Sequence, residues 1–316
     1  MVVLITGGAG FIGRWVVKKL LSQEKKVIVI DNLINGTKEN LDEFKDNPNL
    51  IKFLIGDIKD KQLIEDLFKK YKFSICFHLA AQINVQESLD FPERSFQNNV
   101  IGTYNILEAA RKFNTKTILI GTCMVYDLAS ANIAISEEHR VKPTSPYAGS
   151  KIAAEELALS YYYGFDLPVI ILRPFNTYGP FQKTNMDGGV VSIFVNNKIK
   201  NIKIKVFGDG MQTRDLLYVE DCADFIVKAS ENDKIIGEII NAGTGKEVSI
   251  NSLAELIVGD KSLIEYVKHH HPQSEIMKLV CNNSKAKRLL NWEPKTSLKE
   301  GIAKLEKWIR ETEIGK

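Results

Sequence analysis

The stretch Thr6-Gly7-Gly8-Ala9-Gly10-Phe11-Ile12-Gly13 follows a short apolar run and continues into an apparent helix over residues 12–21. Its glycines fall at positions 7, 10 and 13, a G-x-x-G-x-x-G spacing. A glycine-rich turn between a strand and a helix lets the backbone approach a pyrophosphate closely, and the open N–H groups of the helix start favour the anion. The stretch therefore predicts a dinucleotide site, although spaced glycines alone also fit a tight turn without a ligand.

An acidic residue follows at the distance that such a turn requires. Residues 27–30 form a second strand-like run, and Asp31 stands at its end. A carboxylate there accepts hydrogen bonds from the ribose hydroxyls and repels a 2′-phosphate. Asn32 and Leu33 come next, with no Arg to receive that phosphate. The sequence therefore predicts NAD rather than NADP.

Composition and charge give no argument for nucleic acid or a membrane as partner. The 316 residues are 44% hydrophobic and 26% charged, with a net charge of +3, which is typical of a globular domain. There is no apolar stretch approaching 18 residues, and the first residues lack the basic and apolar regions of a signal peptide. The scattered cysteines, without a C-x-x-C pair, indicate reduced thiols in a cytoplasmic protein.

Strand-like runs alternate with helical patterns through the first half of the chain. The strand candidates are residues 2–6, 27–31, 51–55, 75–79, 116–121 and 168–173. The helix candidates are residues 12–23, 60–70, 93–113 and 146–164. Near-continuous apolar strands alternating with helices indicate a parallel sheet covered on both faces, and right-handed crossovers make it doubly wound. We therefore predict an α/β fold of the Rossmann type.

Three further segments supply polar or small side chains at predicted strand or helix positions. Asp57 is expected to accept a hydrogen bond from the adenine amino group, to cap the helix that begins near residue 60, or both. Residues 77–82 place small side chains at a strand end, where they permit close packing on the dinucleotide, and His78 is expected to be structural. Asn is a poor helix former, so one of Asn98 and Asn99 is expected to have a polar role near the cofactor, and we favour Asn99.

The predicted chemical centre is Tyr147-Ala148-Gly149-Ser150-Lys151, since residues four apart share one face of a helix. A free phenol has a pKa near 10, so holding it ionised at pH 7 costs roughly 4 kcal/mol. The Lys151 ammonium and a positive nicotinamide ring are both expected to lower that pKa. Thr122 lies at the end of the preceding predicted strand and is expected to share a hydrogen bond with the oxygen that Tyr147 deprotonates.

With these motifs assembled, the chain resembles the NAD-dependent sugar-nucleotide epimerase/dehydratase branch of the extended short-chain dehydrogenases/reductases. The resemblance covers nearly the whole chain. Its anchors are Gly7–Gly13, Asp31, Gly56-Asp57, His78-Leu-Ala-Ala81, Asn99-Val-Ile-Gly-Thr103, Thr122, Tyr147 with Lys151, Arg173-Pro-Phe-Asn-Thr-Tyr-Gly-Pro180, Gly208–Asp215, Val219-Glu-Asp221 and Asn241-Ala-Gly-Thr-Gly245.

The resemblance implies that Tyr147 takes the proton of a sugar 4-hydroxyl while NAD takes the C4 hydride. The 4-keto intermediate then receives the hydride on its other face, loses water across C5 and C6, or loses a 6-carboxylate. Dehydratases of this branch usually carry Asp-Glu after the Thr122 position, as acid and base for the elimination. This chain has Cys123 and Met124 there, which favours 4-epimerisation. Dehydration is the alternative, and a non-catalytic NAD-binding scaffold or sensor is an alternative of another class.

The resemblance also implies a domain division and a set of contacts. Residues 1–180, rejoined by about 211–245, are expected to bind NAD, and residues 181–316 to form mainly a smaller α+β substrate domain. Among substrate contacts, Arg214 suits a diphosphate, with pairing to Asp215 as the alternative. The predicted cofactor contacts are Gly7, Gly10, Phe11, Ile12, Gly13, Asp31, Asn32, Asp57, Ile58, Leu79, Ala80, Ala81, Asn99, Tyr147 and Lys151. The predicted substrate contacts are Thr122, Asn176, Val190 and Arg214.

Two further expectations concern the helices and the histidines. In the resembling family, the helices at 93–113 and 146–164 commonly form a dimer interface, so a homodimer is expected, although burial within a monomer explains their apolar positions equally well. His269-His270-His271 is expected to be a solvated loop, because three adjacent rings cannot readily converge on one ion, and no metal site is predicted. His271 also stands where the family often has an Arg, which weakens the expectation of a uridine-type nucleotide.

Overall fold

The computed structural model describes residues 1–127, 133–185, 188–268 and 277–314. Within these ranges the chain forms two compact units. The first unit consists of Met1–Val125, Val141–Arg173 and Ala223–Ile240, and the second of Tyr126–Arg140, Pro174–Cys222 and Asn241–Lys316. The chain therefore passes between the units several times, whereas the sequence places a division at 180 and a return over about 211–245.

The secondary-structure elements are numbered in chain order. The strands are β1 (Val2–Thr6), β2 (Lys26–Asp31), β3 (Leu50–Ile55), β4 (Ile75–His78), β5 (Lys116–Ile120), β6 (Val169–Pro174), β7 (Asn176–Tyr178), β8 (Ile204–Phe207), β9 (Thr213–Arg214), β10 (Leu216–Tyr218), β11 (Ile239–Ala242), β12 (Val248–Ser249), β13 (Ile264–Val267) and β14 (Lys278–Leu279). The α-helices are α1 (Phe11–Ser22), α2 (Lys61–Tyr71), α3 (Val85–Asp90), α4 (Pro92–Ser95), α5 (Gly102–Phe113), α6 (Pro146–Phe165), α7 (Val190–Ile199), α8 (Val219–Ser230), α9 (Ile250–Val258), α10 (Ser284–Leu290) and α11 (Leu298–Ile314).

The main sheet has seven strands in the order β11-β6-β5-β4-β1-β2-β3. The pairs from β6 to β3 are all parallel, as the alternation of strands and helices predicts. The order reverses direction at β1 and β4, and the carboxyl ends of parallel strands at such a point form the crevice where ligands bind. The predicted Rossmann-type α/β fold is confirmed, and the six predicted strands match β1–β6 to within one residue at either end.

Apolar side chains from the strands and from the covering helices bury one another in the first unit. Ile28 and Ile30 of β2, Phe68 of α2 and Ile106 of α5 are within the core that covers one face of the sheet. A strand that is apolar at nearly every position buries both faces, and this is why the sequence alone located it. The helices hold the sheet rigid, so that side chains at its carboxyl edge have fixed positions.

The predicted helix over 93–113 is helical throughout, but it is not a regular α-helix. The structure has α4, a π-helical turn Phe96–Ile101 and then α5. The Asn98 side chain donates to the carbonyl oxygen of Arg94, four residues earlier. It thus competes with the backbone N–H groups of the helix for that acceptor. The π turn redirects the next side chain, Asn99, which is only 1% exposed. The apolar periodicity correctly indicated helix but could not indicate this local widening.

The second unit has its own apolar core. It is formed by α7, α9 and α11 with short strands, and it includes Phe194, Leu253 and Leu305. The closing helix of this unit is α11, which buries Ile302, Leu305 and Ile309. The small sheets of this unit pair β10 with β7, β13 with β8, and β9 with both β12 and β14.

Three features of the chain bear on the expectations about compartment and ligands. The four cysteines are free thiols, and all of them are buried. Among the helices of the described ranges, none combines the length and apolar character needed to span a bilayer. The predicted solvated loop with His269-His270-His271 lies outside the described residues.

Candidate functional site

The glycine-rich turn between β1 and α1 has the backbone geometry of a phosphate cradle. Gly7 has φ +71°, and a side-chain carbon there would lie 2.7 Å from the backbone nitrogen of Ala80. A side-chain carbon at Gly13 would overlap the carbonyl oxygen of Gly7. Gly10 is the N-cap residue of α1, and no side chain caps that helix start. Glycine at 7 and 13 therefore lets the turn pack closely against Ala80 and against α1, and the first N–H groups of α1 have no side-chain cap, which fits a dinucleotide pyrophosphate.

Asp31 ends β2 and is bound to the turn itself. Its carboxylate accepts hydrogen bonds from Ala9 N at 3.0 Å and from Leu33 N at 2.9 Å. Burial raises the pKa of Asp31 above its usual value, and these backbone donors act in the opposite direction. A carboxylate has about four acceptor positions, so it can still accept from ribose hydroxyls. Asp31 therefore holds the turn in shape as well as standing at the predicted ribose position, and the first of these roles was not predicted.

Asn32 and Asp57 form a pair beside Asp31. Asn32 Nδ2 donates to Asp57 Oδ2 at 3.0 Å, and Lys59 N donates to Asp57 Oδ1 at 2.8 Å. Burial alone would raise the pKa of Asp57, but these donors outweigh it and the pKa lies below its usual value. The interpretation of Asp57 as a helix cap is wrong, because the N-cap of α2 is Asp60, whose carboxylate accepts from Leu63 N.

Ile58 and the segment from Leu79 to Ala81 complete the predicted cofactor contacts in the first unit. Ile58 is 5% exposed, and a side-chain carbon at Gly102 would overlap it. Leu79 N donates to Thr6 O, and Ala80 N donates to Thr6 Oγ1. Leu79 and Ala80 are thus bonded to the end of β1, from which the glycine-rich turn departs.

His78 is a buried structural histidine, as expected. Its Nδ1 lies 2.7 Å from Thr6 Oγ1, and its Nε2 lies 2.9 Å from Thr103 Oγ1. Thr103 Oγ1 donates to Asn99 O, so it accepts from the imidazole, which places the His78 proton on Nε2. Burial, with the charge of Lys151, lowers the pKa of His78 to about 3, so the ring is neutral. It forms one hydrogen bond through each of its nitrogens, to Thr6 and to Thr103.

Asn99 connects three backbone or side-chain groups in the first unit. Its Oδ1 accepts from Gln82 N at 2.7 Å, and its Nδ2 donates to Gln82 O at 3.0 Å and to Ser150 Oγ at 2.9 Å. Of the two asparagines, Asn99 is buried, and Asn98 donates to the carbonyl oxygen of Arg94. The role of Asn99 near the cofactor stays a prediction. Gln82 and Ser150 were not predicted as site residues.

Tyr147 and Thr122 lie together at the carboxyl edge of the sheet. The side chain of Ser145 caps α6 and Pro146 is its first residue, which fixes the start of the helix one residue before Tyr147. Thr122 accepts from Met124 N at 3.2 Å, which leaves its hydroxyl proton to donate to the Tyr147 oxygen. A hydrogen bond from Thr122 acts to lower the pKa of Tyr147. The expected contact of Thr122 with the oxygen that Tyr147 deprotonates stays a prediction.

The electrostatic setting of Tyr147 differs from the prediction. Burial raises the pKa of Tyr147 to about 12, although the hydrogen bond from Thr122 acts to lower it. The nearby Cys123 and Glu155 add to the increase. In the chain itself, desolvation of the phenolate thus outweighs the effect that was expected of the Lys151 ammonium.

Lys151 lies on the same face of α6 as Tyr147 and is 6% exposed. Its Nζ donates to the carbonyl oxygen of Ile120, the last residue of β5, at 2.6 Å. Burial lowers the pKa of Lys151 to about 8, and Glu155 acts to raise it. An ammonium has three donors, so two remain for other partners.

A buried ion pair, between Glu155 on α6 and Arg173 on β6, was not predicted from the sequence. Glu155 Oε2 accepts from Arg173 Nε at 3.0 Å and from Arg173 Nη2 at 2.5 Å. The two side chains are 1% and 2% exposed. The signal for Glu155 was its position four residues after Lys151 on the same helix face, but its partner on β6 is fixed only by the fold.

The predicted substrate residues Asn176 and Val190 lie in the second unit. Asn176 begins β7, and its Oδ1 is buried without a hydrogen-bond partner. A buried amide oxygen without a donor costs about 1–3 kcal/mol, so it is typical of a position that receives a donor from a ligand. Val190 is the first residue of α7, whose N-cap residue Gly189 has no side chain to cap it.

Arg214 also lies in the second unit, at the end of β9. Its Nη1 donates to the carbonyl oxygen of Thr213 at 2.8 Å. The alternative pairing with Asp215 is wrong, because the fully buried Asp215 carboxylate accepts from Thr244 N, Gly245 N and Cys281 N instead. The guanidinium is half-buried, and it is chemically suited to a diphosphate.

The described part of the chain has no group of three or more His, Cys, Asp or Glu side chains that could hold a metal ion. The residues brought together in the first unit are instead a nucleotide cradle and a Thr–Tyr–Lys set.

Comparison with known proteins agrees with these features. Residues 4–305 match the family model described as GDP-mannose 4,6 dehydratase. The UDP-glucose 4-epimerase of Mycolicibacterium smegmatis is 36% identical over 310 residues, which cover 97% of this chain and 98% of that protein. The X-ray structure of Pal from Bacillus thuringiensis is 57% identical, with a TM-score of 0.97 over 99% of this chain and 100% of that chain.

A second solved structure represents the other reaction of the resembling branch. The dTDP-glucose 4,6-dehydratase from Bacillus anthracis str. Ames, in complex with NAD, is 31% identical, with a TM-score of 0.89 over 99% of this chain and 98% of that chain. Epimerases and dehydratases thus match the chain over the same length. The resemblance inferred from the motifs is confirmed, and the chain belongs to the extended short-chain dehydrogenase/reductase family of NAD-dependent sugar-nucleotide epimerases and dehydratases.

Proposed function

We propose that the chain catalyses NAD-dependent epimerisation of a nucleotide-activated hexose at C4, through a transient 4-keto intermediate. The observation that carries the proposal is the buried set of Thr122, Tyr147 and Lys151 at the end of β5, next to a segment, Cys123-Met124, without an acid–base pair. Proton transfer from one hydroxyl needs a single base with a stabilised anion. The arrangement meets that need.

The residues of the chain have separate tasks in this proposal. The Tyr147 oxygen accepts the proton of the sugar 4-hydroxyl and returns it at the end of the reaction. Thr122 donates to the Tyr147 oxygen and positions it, while its own oxygen is held by Met124 N. Lys151 places a positive charge on the same helix face. NAD, when bound, supplies the hydride acceptor and donor for C4, and its positive ring adds to the field that favours the phenolate.

The cofactor contacts proposed for NAD are those of the first unit. The pyrophosphate would lie on the start of α1, between Gly7, Gly10 and Gly13. Asp31 would accept from the adenosine ribose hydroxyls, and Asp57 from the adenine amino group. The remaining predicted contacts line the carboxyl edge of the same sheet. The open cradle and the acceptor capacity of Asp31 support this placement.

Dehydration is the second candidate, and the match to a 4,6-dehydratase family model favours it. Elimination across C5 and C6 requires a proton donor for the leaving hydroxide and a base for the C5 proton. The Cys123 side chain is 3% exposed, and Met124 has a thioether that transfers no proton. These two residues support epimerisation over dehydration. A non-catalytic NAD-binding scaffold is the third candidate, and the complete Thr–Tyr–Lys set speaks against it.

The substrate contacts proposed for the second unit are Asn176, Val190 and Arg214. The buried and unpartnered Oδ1 of Asn176 would accept from a sugar hydroxyl, and Arg214 would bind the diphosphate in a bidentate way. Val190 would pack on the nucleotide base. A homodimer formed through α5 and α6 with their neighbours is part of the same proposal.

Replacement of Tyr147 by Phe tests the proposal. We expect Tyr147→Phe to retain bound NAD and to lose turnover of sugar nucleotides by at least about 10³-fold, because the proton acceptor is gone. Tyr161→Phe is the matched control, since Tyr161 lies on the same helix and donates to Glu108 on the protein surface side. An active Tyr147→Phe enzyme would contradict the proposal. A wild-type protein that holds NAD but converts none of UDP-, dTDP-, GDP- and CDP-hexoses would favour the scaffold.

A further inference from the structure

A row of three ionisable side chains runs along one face of α6. Tyr147, Lys151 and Glu155 are spaced by four residues, so each lies about 6 Å from the next along the helix axis. All three are buried. The row continues to β6 through the ion pair of Glu155 with Arg173.

The two oxygens of the Glu155 carboxylate have different surroundings. Its Oε2 accepts both hydrogen bonds from Arg173, while its Oε1 is buried and has no hydrogen-bond partner. A side-chain carbon at Gly121 would overlap that Oε1. Gly121 directly follows Ile120, whose carbonyl oxygen accepts from Lys151 Nζ. The free carboxylate oxygen and the ammonium therefore lie against consecutive residues at the end of β5.

The charges of this group determine what Glu155 can do. Lys151 and Arg173 are two buried cations, and Glu155 is the carboxylate among them. Without that carboxylate, the Lys151 ammonium would be buried in a medium of low dielectric constant without the attraction of Glu155, and a lysine in that situation loses its proton more easily. Arg173 keeps its proton under all conditions. Lys151 is therefore the group whose charge depends on Glu155.

The other ionisable groups around Lys151 do not replace this carboxylate. His78 on β4 is neutral in its buried hydrogen-bond connection, and Cys123 faces Tyr147 as a buried thiol. Glu156, the next residue on α6, is exposed to solvent. A buried pair such as Glu155–Arg173 contributes little net stability compared with apolar side chains of similar size, so a role in the site is a reason for it to be there.

We propose that Glu155, oriented by Arg173, is a positioning residue that keeps the Lys151 ammonium charged beside Tyr147. This inference rests on the proposed function for its role in the reaction, but the charge of Lys151 is a property of the folded chain. Loss of the carboxylate leaves a neutral amine at Lys151, and the phenolate of Tyr147 then lacks the cation on its own helix face.

The test measures the protonation of Lys151 directly in the NAD-bound enzyme. Protein labelled with ¹³C at the lysine ε carbon is titrated by NMR, and the Lys151 signal is identified by its loss in Lys151→Arg. We expect a midpoint near pH 8 in the wild type. In Glu155→Gln the midpoint falls by at least about one pH unit, which is tenfold in the proton affinity of Lys151. The basic limb of the kcat–pH profile moves down with it.

Additional variants separate charge from folding. Glu155→Gln removes the charge that opposes the buried Arg173 guanidinium, which costs stability. The double variant Glu155→Gln/Arg173→Met removes both charges with a similar volume; its melting curve reports folding, and its midpoint also falls because the attraction of Glu155 for the Lys151 proton is lost. Arg173→Lys keeps both charges and is expected to stay within about 0.3 pH units of the wild type. Glu156→Gln is the matched control on the same helix and leaves the midpoint unchanged.

The outcomes distinguish this inference from the proposed function. A folded Glu155→Gln or double variant with the wild-type midpoint would overturn the role of Glu155, whatever reaction the enzyme performs. A shift of one pH unit in Arg173→Lys would also overturn it, because the carboxylate charge is still present. Failure of the wild type to form a 4-epimer contradicts the proposed function but leaves the NMR midpoint as the test of Glu155.

Discussion

Asn99 Nδ2 donates a hydrogen bond of 2.9 Å to Ser150 Oγ, and this bond joins the π-helical turn to the helix that carries Tyr147. Ser150 Oγ in turn donates to the carbonyl oxygen of Tyr147 at 2.8 Å. Two consecutive hydrogen bonds thus connect the amide of Asn99, through Ser150, to the backbone of the proposed base Tyr147. Because Asn99 also holds Gln82 through both of its backbone groups, it fixes the distance between the strand-end loop and α6.

Asn99→Ala removes these connections without touching the substrate. We expect a loss of about 1–3 kcal/mol in the free energy of unfolding, because buried groups of Gln82 lose their partners. We also expect kcat to fall by at least about tenfold, since Tyr147 is less well positioned. Urea unfolding and steady-state kinetics measure the two effects. Asn98→Ala, at the half-buried neighbour, is the control; equal effects in both variants would contradict the connecting role of Asn99.

His78 gives the stability of the protein a specific pH dependence. Its pKa in the folded chain is about 3, below the unfolded value near 6.5, because it is buried and close to Lys151. The unfolded chain therefore takes up a proton that the folded chain rejects, and stability is lost as pH falls from about 6.5 towards 3. Between pH 7.5 and 5.5 the loss amounts to about 1.4 kcal/mol.

His78→Gln isolates this contribution, because every other titrating group remains. We expect urea unfolding of the wild type to lose about 1.4 kcal/mol more than the variant between pH 7.5 and 5.5. The variant is less stable at pH 7.5, since glutamine does not reach both Thr6 and Thr103 in the same way. Parallel stability curves for the two proteins would show that His78 is not held neutral.

Asp31 is expected to control the choice of dinucleotide. Asp31→Asn removes the negative charge while keeping the shape of the side chain. We expect the preference for NAD over NADP, measured as the ratio of dissociation constants by calorimetry, to fall by at least about tenfold, because repulsion of the 2′-phosphate is lost. Asp57→Asn is the control. An unchanged ratio in Asp31→Asn would exclude the carboxylate as the selecting group.

The parts of the fold that could be predicted are those with a pattern in the local sequence. The strands β1, β2, β4, β5 and β6 are apolar at most positions because both faces are buried, so the local sequence identifies them. The edge strand β3 is also largely apolar, although none of its residues is fully buried. The two- and three-residue strands of the second unit, such as β9 and β12, have no pattern of their own. They exist because distant segments pair, as Val248 does with Arg214. The π turn at 96–101 likewise depends on which partners the Asn99 side chain finds.

The candidate site shows the same division. Tyr147 and Lys151 were predicted because a spacing of four on a helix is visible in the sequence, and Asp31 because it follows a strand. Thr122 was placed correctly by its strand end. Glu155–Arg173 and the connection through His78 join residues from different elements, so only the folded chain reveals them. The pKa of Tyr147 was predicted in the wrong direction because burial depth is not a property of the local sequence.

The most direct test of the account follows one deuterium atom. Sugar nucleotides labelled with deuterium at C4 of the hexose, among them UDP-glucose and dTDP-glucose, are incubated with the NAD-bound enzyme, and the products are read by NMR. The account predicts a 4-epimer that retains the deuterium at C4, because the hydride leaves and returns at the same carbon. A 4-keto-6-deoxy product with the deuterium at C6 would contradict it and establish dehydration instead.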